Sequence, residues 1–255
     1  MSPRPGPPTM SQPTRLQAPL AILFDLDGTL ADTAPDLAAA MNLLRARAGL
    51  APTPYELLRP VASAGARGMI AVAFDTHPGD DGYETLRVAF LDNYAAALMV
   101  DSSLFPGVPE LLGGLAGLGL RWGVVTNKPA RFTDPLIRLI GLQQAGCVVS
   151  GDTTPHAKPH PAPLFEAALR LGLAPERCWY VGDDLRDIEA GRAAGMLTIA
   201  CGWGYCGPLE PQGWGADYLL DTPLALLELA RGVTLAARQA EPAAQASLPI
   251  AAVNL

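Results

Sequence analysis

The sequence has few cationic side chains and no long uninterrupted apolar run. Lys and Arg number 18 against 25 Asp and Glu, and the net charge is −7. Because nucleic-acid-binding proteins neutralise phosphates with clustered Lys and Arg, this balance argues against nucleic acid as a partner. A bilayer-spanning helix needs about 18 consecutive apolar residues, so we also expect no membrane segment.

Metal-binding cysteine motifs and nucleotide-binding loops are also lacking. The four cysteines, Cys147, Cys178, Cys201 and Cys206, show no CxxC spacing. We therefore expect reduced, mostly buried thiols in a cytoplasmic protein rather than a redox or zinc centre. No GxxxxGK[ST] motif is present, so nucleotide hydrolysis of the P-loop kind is not indicated.

The apolar fraction of 49% is large enough for a substantial core. Short apolar runs alternate with helical patterns, which predicts an α/β fold with a Rossmann-like parallel sheet and helices on both faces. The predicted strands cover residues 20–24, 120–125, 147–149, 178–181 and 197–201.

One long segment interrupts this alternation. Residues 34–102 contain helical patterns and loops but no convincing strand, and they are too long for an ordinary crossover. We predict that they form an inserted α-helical cap on a catalytic core of residues 19–33 and 103–235. The proline-rich residues 1–18 are predicted to be a disordered tail, and the alanine-rich residues 236–255 a weakly ordered one.

Four polar clusters follow the predicted strands or lie in the loops between them. Ligands of open parallel sheets bind beyond the carboxyl ends of the strands, so we expect these clusters to meet at one edge. The clusters are Asp25 to Thr29, Thr126 to Lys128, Lys158 in a proline-rich loop, and Asp183-Asp184 with Asp187.

The acidic residues of these clusters suit phosphoryl chemistry. Asp25 and Asp27 are close enough to repel, so we expect one of them to be paired with a cation or protonated, as suits a nucleophile and a general acid/base. The alternative is a strand end with solvated aspartates. With Asp183 added, the oxygen ligands suit Mg²⁺, whereas the absence of His and Cys from these clusters argues against Zn²⁺. For Asp184 and Asp187 the alternative interpretation is capping of a helix N-terminus.

Together the four clusters, in this order, resemble the four motifs of the haloacid dehalogenase (HAD) superfamily. The matching stretches are Phe24 to Leu30, Val124 to Lys128, Lys158-Pro159, and Val181 to Asp184 with Asp187. The helical insertion after the first motif matches the cap position of the phosphoglycolate phosphatase-like branch. Three further stretches resemble the N-acetylmuramic acid 6-phosphate phosphatases of cell-wall recycling: Trp122 to Pro129, Val181 to Arg192, and Gly204-Tyr205 through Trp214 to Asp217.

The resemblance implies a role for each motif residue. Asp25 attacks phosphorus and forms an aspartyl-phosphate, and Asp27 protonates the leaving alkoxide and then activates water. Mg²⁺ is held by Asp25, the backbone carbonyl of Asp27, and Asp183. Thr126 and Lys158 stabilise the transferring phosphoryl group. An aspartate at position 27 favours phosphate-ester hydrolysis, because an alkoxide leaving group needs a proton.

The substrate is predicted less closely than the reaction. We expect a small phosphorylated metabolite bearing a carboxylate, bound by Arg67 of the insertion and by Asn127, with Asp184 and Asp187 supporting the metal site. Arg67 has the alternative interpretation of a solvated arginine at a helix start. Besides a phosphatase acting as a monomer or homodimer, a sugar phosphomutase on the same scaffold and a binding module with an inactive site remain open.

Overall fold

The computed structural model describes residues 17–207 and 209–245, with side chains to residue 240. Its strands are β1 Ala21–Phe24, β2 Ala31–Asp32, β3 Ser103–Leu104, β4 Arg121–Val125, β5 Val148–Val149, β6 Cys178–Gly182, β7 Leu197–Cys201 and β8 Tyr218–Leu220. Six of them form one parallel sheet in the order β5-β4-β1-β6-β7-β8. The chain therefore adds strands first on one side of β1 and then on the other, which opens a crevice at the carboxyl end of β1.

Helices cover both faces of this sheet, which confirms the predicted fold class. In chain order the helices are α1 Ala34–Arg47, α2 Tyr55–Leu58, α3 Gly65–Phe74, α4 Tyr83–Ala96, α5 Val108–Gly117, α6 Ala130–Leu139, α7 Ala162–Leu171, α8 Leu185–Ala193 and α9 Pro223–Gln245. Those that pack on the strands of the sheet include α5, α7, α8 and α9. Side chains alternate along β1, so Ile22 and Phe24 join one core with α5 and α9. Ala21 and Leu23 join a second core with α7 and α8.

Helices α1 to α4 lie between β2 and β3, which pair with each other in an antiparallel ladder. Ala31 pairs with Leu104 and Asp32 with Ser103. The helical insertion, residues 34–102, therefore leaves and rejoins the rest of the chain through adjacent residues. This two-stranded ladder fixes where the insertion stands relative to the end of β1.

The C-terminal region differs from the prediction. Helix α9 continues to Gln245, so residues 236–245 of the expected weakly ordered tail are helical. The helix packs on α5, where Gly114 leaves room for the side chain of Leu227. Residues 1–16 and 246–255 of the two predicted tails lie outside the described residues.

One segment of the insertion is long and apolar enough, by length and composition, to cross a membrane, although none was expected. This segment, Tyr55–Phe74, has a mean hydropathy of 1.2 although it contains the charged residues Arg59 and Arg67. A single such segment is weak evidence of a span. Here a 3₁₀ turn over Arg59–Ala64 separates α2 from α3, and Met69 and Ile70 are buried in the protein core.

The cysteines behave as small core side chains. Cys147, Cys178 and Cys201 are buried free thiols, and Cys206 is half-buried. Burial raises the pKa of Cys147 and of Cys178 to about 11. These two thiols are therefore protonated near neutral pH, which agrees with the predicted structural role.

Candidate active site

The four polar clusters meet at the carboxyl edge of the sheet, as their positions predicted. Asp25 follows β1, Thr126 follows β4 and Asp183 follows β6, while Lys158 enters from the loop between β5 and α7. All four residues are almost fully buried, with exposures of 7% or less. Polar groups buried to this extent need partners, and the site consists of those partnerships.

Lys158 connects two of the carboxylates. Its Nζ atom lies 3.0 Å from Asp25 Oδ1 and 2.7 Å from Asp187 Oδ1, and it also donates to Val125 O and the Tyr180 hydroxyl. Burial acts to lower the pKa of Lys158, but the charges of Asp187 and Asp25 outweigh it and raise that pKa. Lys158 is therefore a permanent cation beside the oxygen of Asp25.

Asp183 is wholly buried and is held by three neutral donors. Its Oδ1 accepts from Thr29 Oγ1 at 3.0 Å, and its Oδ2 accepts from Ser63 Oγ and the Tyr205 N–H, each at 3.0 Å. Burial, with the charges of Asp25 and Asp187, raises the pKa of Asp183 well above its ordinary value. No cation is among these contacts, so Asp183 lacks the charge that would stabilise its ionised form.

The backbone of two glycines, Gly28 and Gly204, packs closely against Asp183. A Cβ on Gly28 would stand 2.1 Å from Asp183 Oδ2, and one on Gly204 would stand 2.3 Å from Asp183 Cβ. Gly28 also has a φ of +84°, a conformation that favours glycine. Only residues without a side chain fit here, so the backbone itself shapes the space around this carboxylate.

A divalent cation fits this set of oxygen atoms. Carboxylate oxygens of Asp25, Asp183 and Asp187 lie within 4.8 Å of one another. Asp187 is less available, because its Oδ1 is bound by Lys158 and Tyr180 and its Oδ2 by the Asp184 N–H. If all four buried acids of the site are ionised, their negative charges exceed the positive charges of the two buried lysines, and the net charge of the site is −2. These groups are Asp25, Asp27, Asp183 and Asp187, with Lys128 and Lys158.

Asp27 has a cationic partner that the sequence analysis missed. Lys128 Nζ lies 2.8 Å from Asp27 Oδ1 and 3.0 Å from Oδ2, and Thr33 Oγ1 donates to the same carboxylate. The Lys128 ammonium also lies 4.8 Å from the centre of the Tyr94 ring. The paired state expected for one of the two acids of the first motif is therefore found for both. Lys128 belongs to the second motif stretch, but its position in the sequence does not show where its long side chain ends.

Asn127 and Asp184 hold backbone segments that carry other residues of the site. The Asn127 side chain donates to Lys158 O and accepts from the Lys158 N–H, both at 2.9 Å, so it fixes the lysine backbone. Asn127 also lines the cavity described below, so its predicted contact with substrate stays a prediction beside this positioning contact. Asp184 accepts from the Arg186 N–H and forms a capping box with Asp187 at the start of α8, which confirms the helix-capping interpretation.

A cavity of about 250 Å³ opens beside these groups, between the sheet edge and the insertion. Its wall combines the charged groups with an apolar side formed by Leu37, Phe90, Leu91, Tyr94 and Phe132. Thr126 lines the cavity beside Asp25 and is 2% exposed.

Arg67 does not line this cavity, and its predicted contact with substrate stays a prediction. Gly65 and Ala66 at the start of α3 line the cavity, but the helix rotates by about 100° per residue and turns Arg67 away. Arg67 is exposed and lines a separate groove beside Trp214. The arginine of the insertion that lines the cavity is Arg87 of α4.

Comparison with known proteins gives consistent results. A family model described as haloacid dehalogenase-like hydrolase matches residues 19–195. An N-acetylmuramic acid 6-phosphate phosphatase of Pseudomonas putida is 46% identical over 208 residues, which cover 81% of this chain and 93% of that protein. A phosphoglycolate phosphatase of Xanthomonas campestris is 46% identical over 215 residues, which cover 84% and 97%.

The fold comparison agrees. A crystal structure described as that of a predicted phosphoglycolate phosphatase from Haemophilus somnus superposes with a TM-score of 0.74 at 29% identity, covering 83% of this chain and 97% of that one. The four motifs, the parallel sheet and the matched family model together show that this chain belongs to the haloacid dehalogenase-like hydrolase family.

Proposed function

We propose that this protein is a Mg²⁺-dependent phosphomonoester hydrolase that works through an aspartyl-phosphate on Asp25. The supporting observation is the setting of that carboxylate at the end of β1. Its Oδ1 accepts from the Leu26 N–H at 2.7 Å and lies 3.0 Å from Lys158 Nζ, which fixes the group and leaves Oδ2 for attack. Asp27 and Thr126 line the same cavity, within reach of a phosphoryl group bound there.

Asp25, Asp183 and the backbone carbonyl of Asp27 would hold the Mg²⁺. When bound, the ion neutralises phosphoryl oxygens and the excess negative charge of the site. Lys158 supplies a second, fixed positive charge, and the Thr126 hydroxyl supplies a hydrogen bond to the phosphoryl group. Asp187 supports the site by holding Lys158 rather than by binding the metal.

The reaction then proceeds in two displacements. An oxygen of Asp25 bonds to phosphorus while the phosphorus–oxygen bond to the ester breaks, and Asp27 in its protonated form gives its proton to the departing alkoxide. Asp27 next takes a proton from water, whose oxygen attacks phosphorus and breaks the bond to Asp25. The products are an alcohol, inorganic phosphate and the original carboxylate.

For the substrate we propose a small phosphorylated metabolite with a carboxylate, converted as 2-phosphoglycolate is to glycolate and phosphate. Arg87 on the cavity wall supplies a cation for that carboxylate. N-acetylmuramic acid 6-phosphate is the second candidate, because the apolar wall of Leu37, Phe90 and Phe132 exceeds what a two-carbon acid can cover. Residues 34–102 would act as the cap over the core in either case, and the protein would work in the cytoplasm as a monomer or homodimer.

The test measures phosphate release, with and without Mg²⁺, from both candidates and from a sugar phosphate. We expect metal-dependent release that Asp25→Asn abolishes, and the larger kcat/KM identifies the substrate. Isomer formation without phosphate release would instead identify a phosphomutase. No metal-dependent release from any ester, p-nitrophenyl phosphate included, would overturn the proposal.

A further inference from the structure

Tyr205 lies between the candidate metal site and the base of the helical insertion, and none of the four motifs contains it. It follows β7 and Gly204, and it is 4% exposed. Its backbone N–H donates to Asp183 Oδ2 at 3.0 Å. The residue is thus fixed at one end to a carboxylate of the active site.

The hydroxyl of Tyr205 lies at the point where the chain enters the insertion. It accepts hydrogen bonds from the Thr33 N–H at 2.7 Å and the Ala34 N–H at 2.9 Å, and it donates to Asp32 Oδ1 at 3.0 Å. Thr33 is the N-cap residue of α1, but its own side chain makes no capping bond. A residue 171 positions away thus supplies the acceptor that a helix N-terminus requires.

The ring of Tyr205 contacts the other side of the same junction. Its centre lies 6.2 Å from that of Phe105, which directly follows β3, where the chain leaves the insertion. Arg59, within the insertion, places its guanidinium 5.0 Å from the same ring. One side chain therefore contacts the entering chain, the returning chain and the insertion itself.

We propose that Tyr205 is a positioning residue that ties the hinge of the helical insertion to Asp183. The inference rests on the proposed function only in assuming that the insertion closes over bound substrate. The hinge is the segment where the chain enters the insertion, at Thr33 and Ala34. If Mg²⁺ binding restricts the motion of Asp183, the hydrogen bonds of the Tyr205 backbone and hydroxyl would restrict the motion of this segment as well. Ser63 of the insertion, which also donates to Asp183, shares the same carboxylate oxygen.

The direct test is hydrogen exchange at the amides of Thr33 and Ala34 in Tyr205→Phe, which keeps the ring and the backbone N–H but removes the hydroxyl. We expect the Thr33 amide to exchange about tenfold faster than in the wild type, and the Ala34 amide to respond less because it also donates to Asp32 Oδ1 at 3.3 Å. In the wild type Mg²⁺ should slow their exchange, and in Tyr205→Phe it should not. Tyr83→Phe, which alters a buried tyrosine of α4, is the matched control, and its amides at Thr33 and Ala34 should exchange as in the wild type.

Kinetics separate a hinge role from a general loss of structure. Tyr205→Phe should lower kcat/KM about tenfold for the physiological ester, while calorimetry shows Mg²⁺ affinity within about twofold of the wild type. Unchanged exchange in β1 verifies that the core is folded. Wild-type exchange at Thr33 and Ala34 in the variant would overturn the proposal, even if the wild-type protein hydrolysed no ester. Absent hydrolysis with the expected exchange would overturn only the proposed function.

Discussion

The side chains of Lys128 and Lys158 pair with three of the four buried acids of the site. Lys158 pairs with Asp25 and Asp187, whereas Lys128 pairs with Asp27 through both carboxylate oxygens. The proposed nucleophile and the proposed acid/base thus have separate cations. Each carboxylate is held in place before substrate arrives, which lowers the cost of reaching the reactive geometry.

Replacement of Asp27 by Asn tests the acid/base role. The amide cannot give a proton to an alkoxide, so Asp27→Asn should slow hydrolysis of an alkyl phosphate by about 10²–10⁴. With p-nitrophenyl phosphate, whose leaving group needs no proton, a burst of nitrophenol should survive while the aspartyl-phosphate turns over slowly. Near-normal turnover of the alkyl phosphate by the variant would contradict the assignment.

Arg87 and Arg67 offer a matched pair of arginines in the insertion. Arg87 lines the cavity and pairs only through Nε with exposed Glu84, at 2.8 Å, in the contacts described. Arg87→Ala should therefore raise KM for a carboxylate-bearing substrate about tenfold with little change in kcat. Arg67→Ala should leave KM within about twofold. A larger effect at Arg67 than at Arg87 would show that the insertion closes differently from the structure.

The sequence predicted the acids of the site better than the residues around them. Asp25 and Asp183 follow apolar strands, so their meeting at one edge depends only on the sheet being parallel. Arg87, Lys128 and Tyr205 depend on where helices and loops pack in three dimensions. No spacing along the chain encodes that placement, which is why the sequence indicated Arg67 and the cavity is lined by Arg87.

At the scale of elements, Asp36 holds the end of the insertion against its start. Its carboxylate accepts backbone hydrogen bonds from Val100, Asp101 and Ser102, and a side-chain bond from Ser102. Asp36 belongs to the first turn of α1, and the three donors lead directly into β3. This cluster supports the short β2–β3 ladder, which has only two residue pairs.

Removal of the Asp36 carboxylate tests this anchor. Asp36→Ala leaves the buried N–H and hydroxyl of Ser102, and the part-buried N–H groups of Val100 and Asp101, without their acceptor, so it should lower the free energy of unfolding by about 2–4 kcal/mol. Urea unfolding provides the measurement. Asp92→Ala, an exposed substitution on α4, is the matched control and should change stability by less than about 0.5 kcal/mol. Equal effects of the two variants would contradict the anchoring role.

The strands of the sheet were predicted well except for β8. Tyr218–Leu220 has only three residues, all half-buried, so it carries too little periodicity to be recognised. The end of α9 was missed for a different reason. Its alanines and Pro242 indicated a weakly ordered tail, whereas packing of the helix on α5 stabilises a continuous helix.

Across the whole molecule, the excess of buried negative charge predicts that pH and Mg²⁺ act together on stability. Burial raises the pKa of Asp187 to about 6, and that of Asp183 is also raised. A carboxyl whose folded pKa exceeds its unfolded value of about 4 destabilises the fold as pH rises through that interval. Bound Mg²⁺ supplies the missing positive charge and opposes this loss.

The increase in Tm caused by excess MgCl₂ should therefore grow as pH rises from about 4 to above about 6. Thermal unfolding followed by circular dichroism measures it, with NaCl of equal ionic strength as the reference. Asp183→Asn should remove most of the Mg²⁺-dependent increase at every pH. A stabilisation by Mg²⁺ that is independent of pH would contradict the predicted coupling between proton release and metal binding.

The antiparallel pairing of Ala31 with Leu104 lies at the base of the insertion, between the core that carries the motif residues and the helices that would contact substrate. Because paired Cα atoms of adjacent strands lie only about 5 Å apart, a tight hairpin of two residues can join them without moving the sheet. The residues between them can then be exchanged for a module of another size, while Asp25 and Asp183 keep their places at the ends of β1 and β6. Such an architecture allows new substrates to be acquired by replacing one contiguous stretch of the gene.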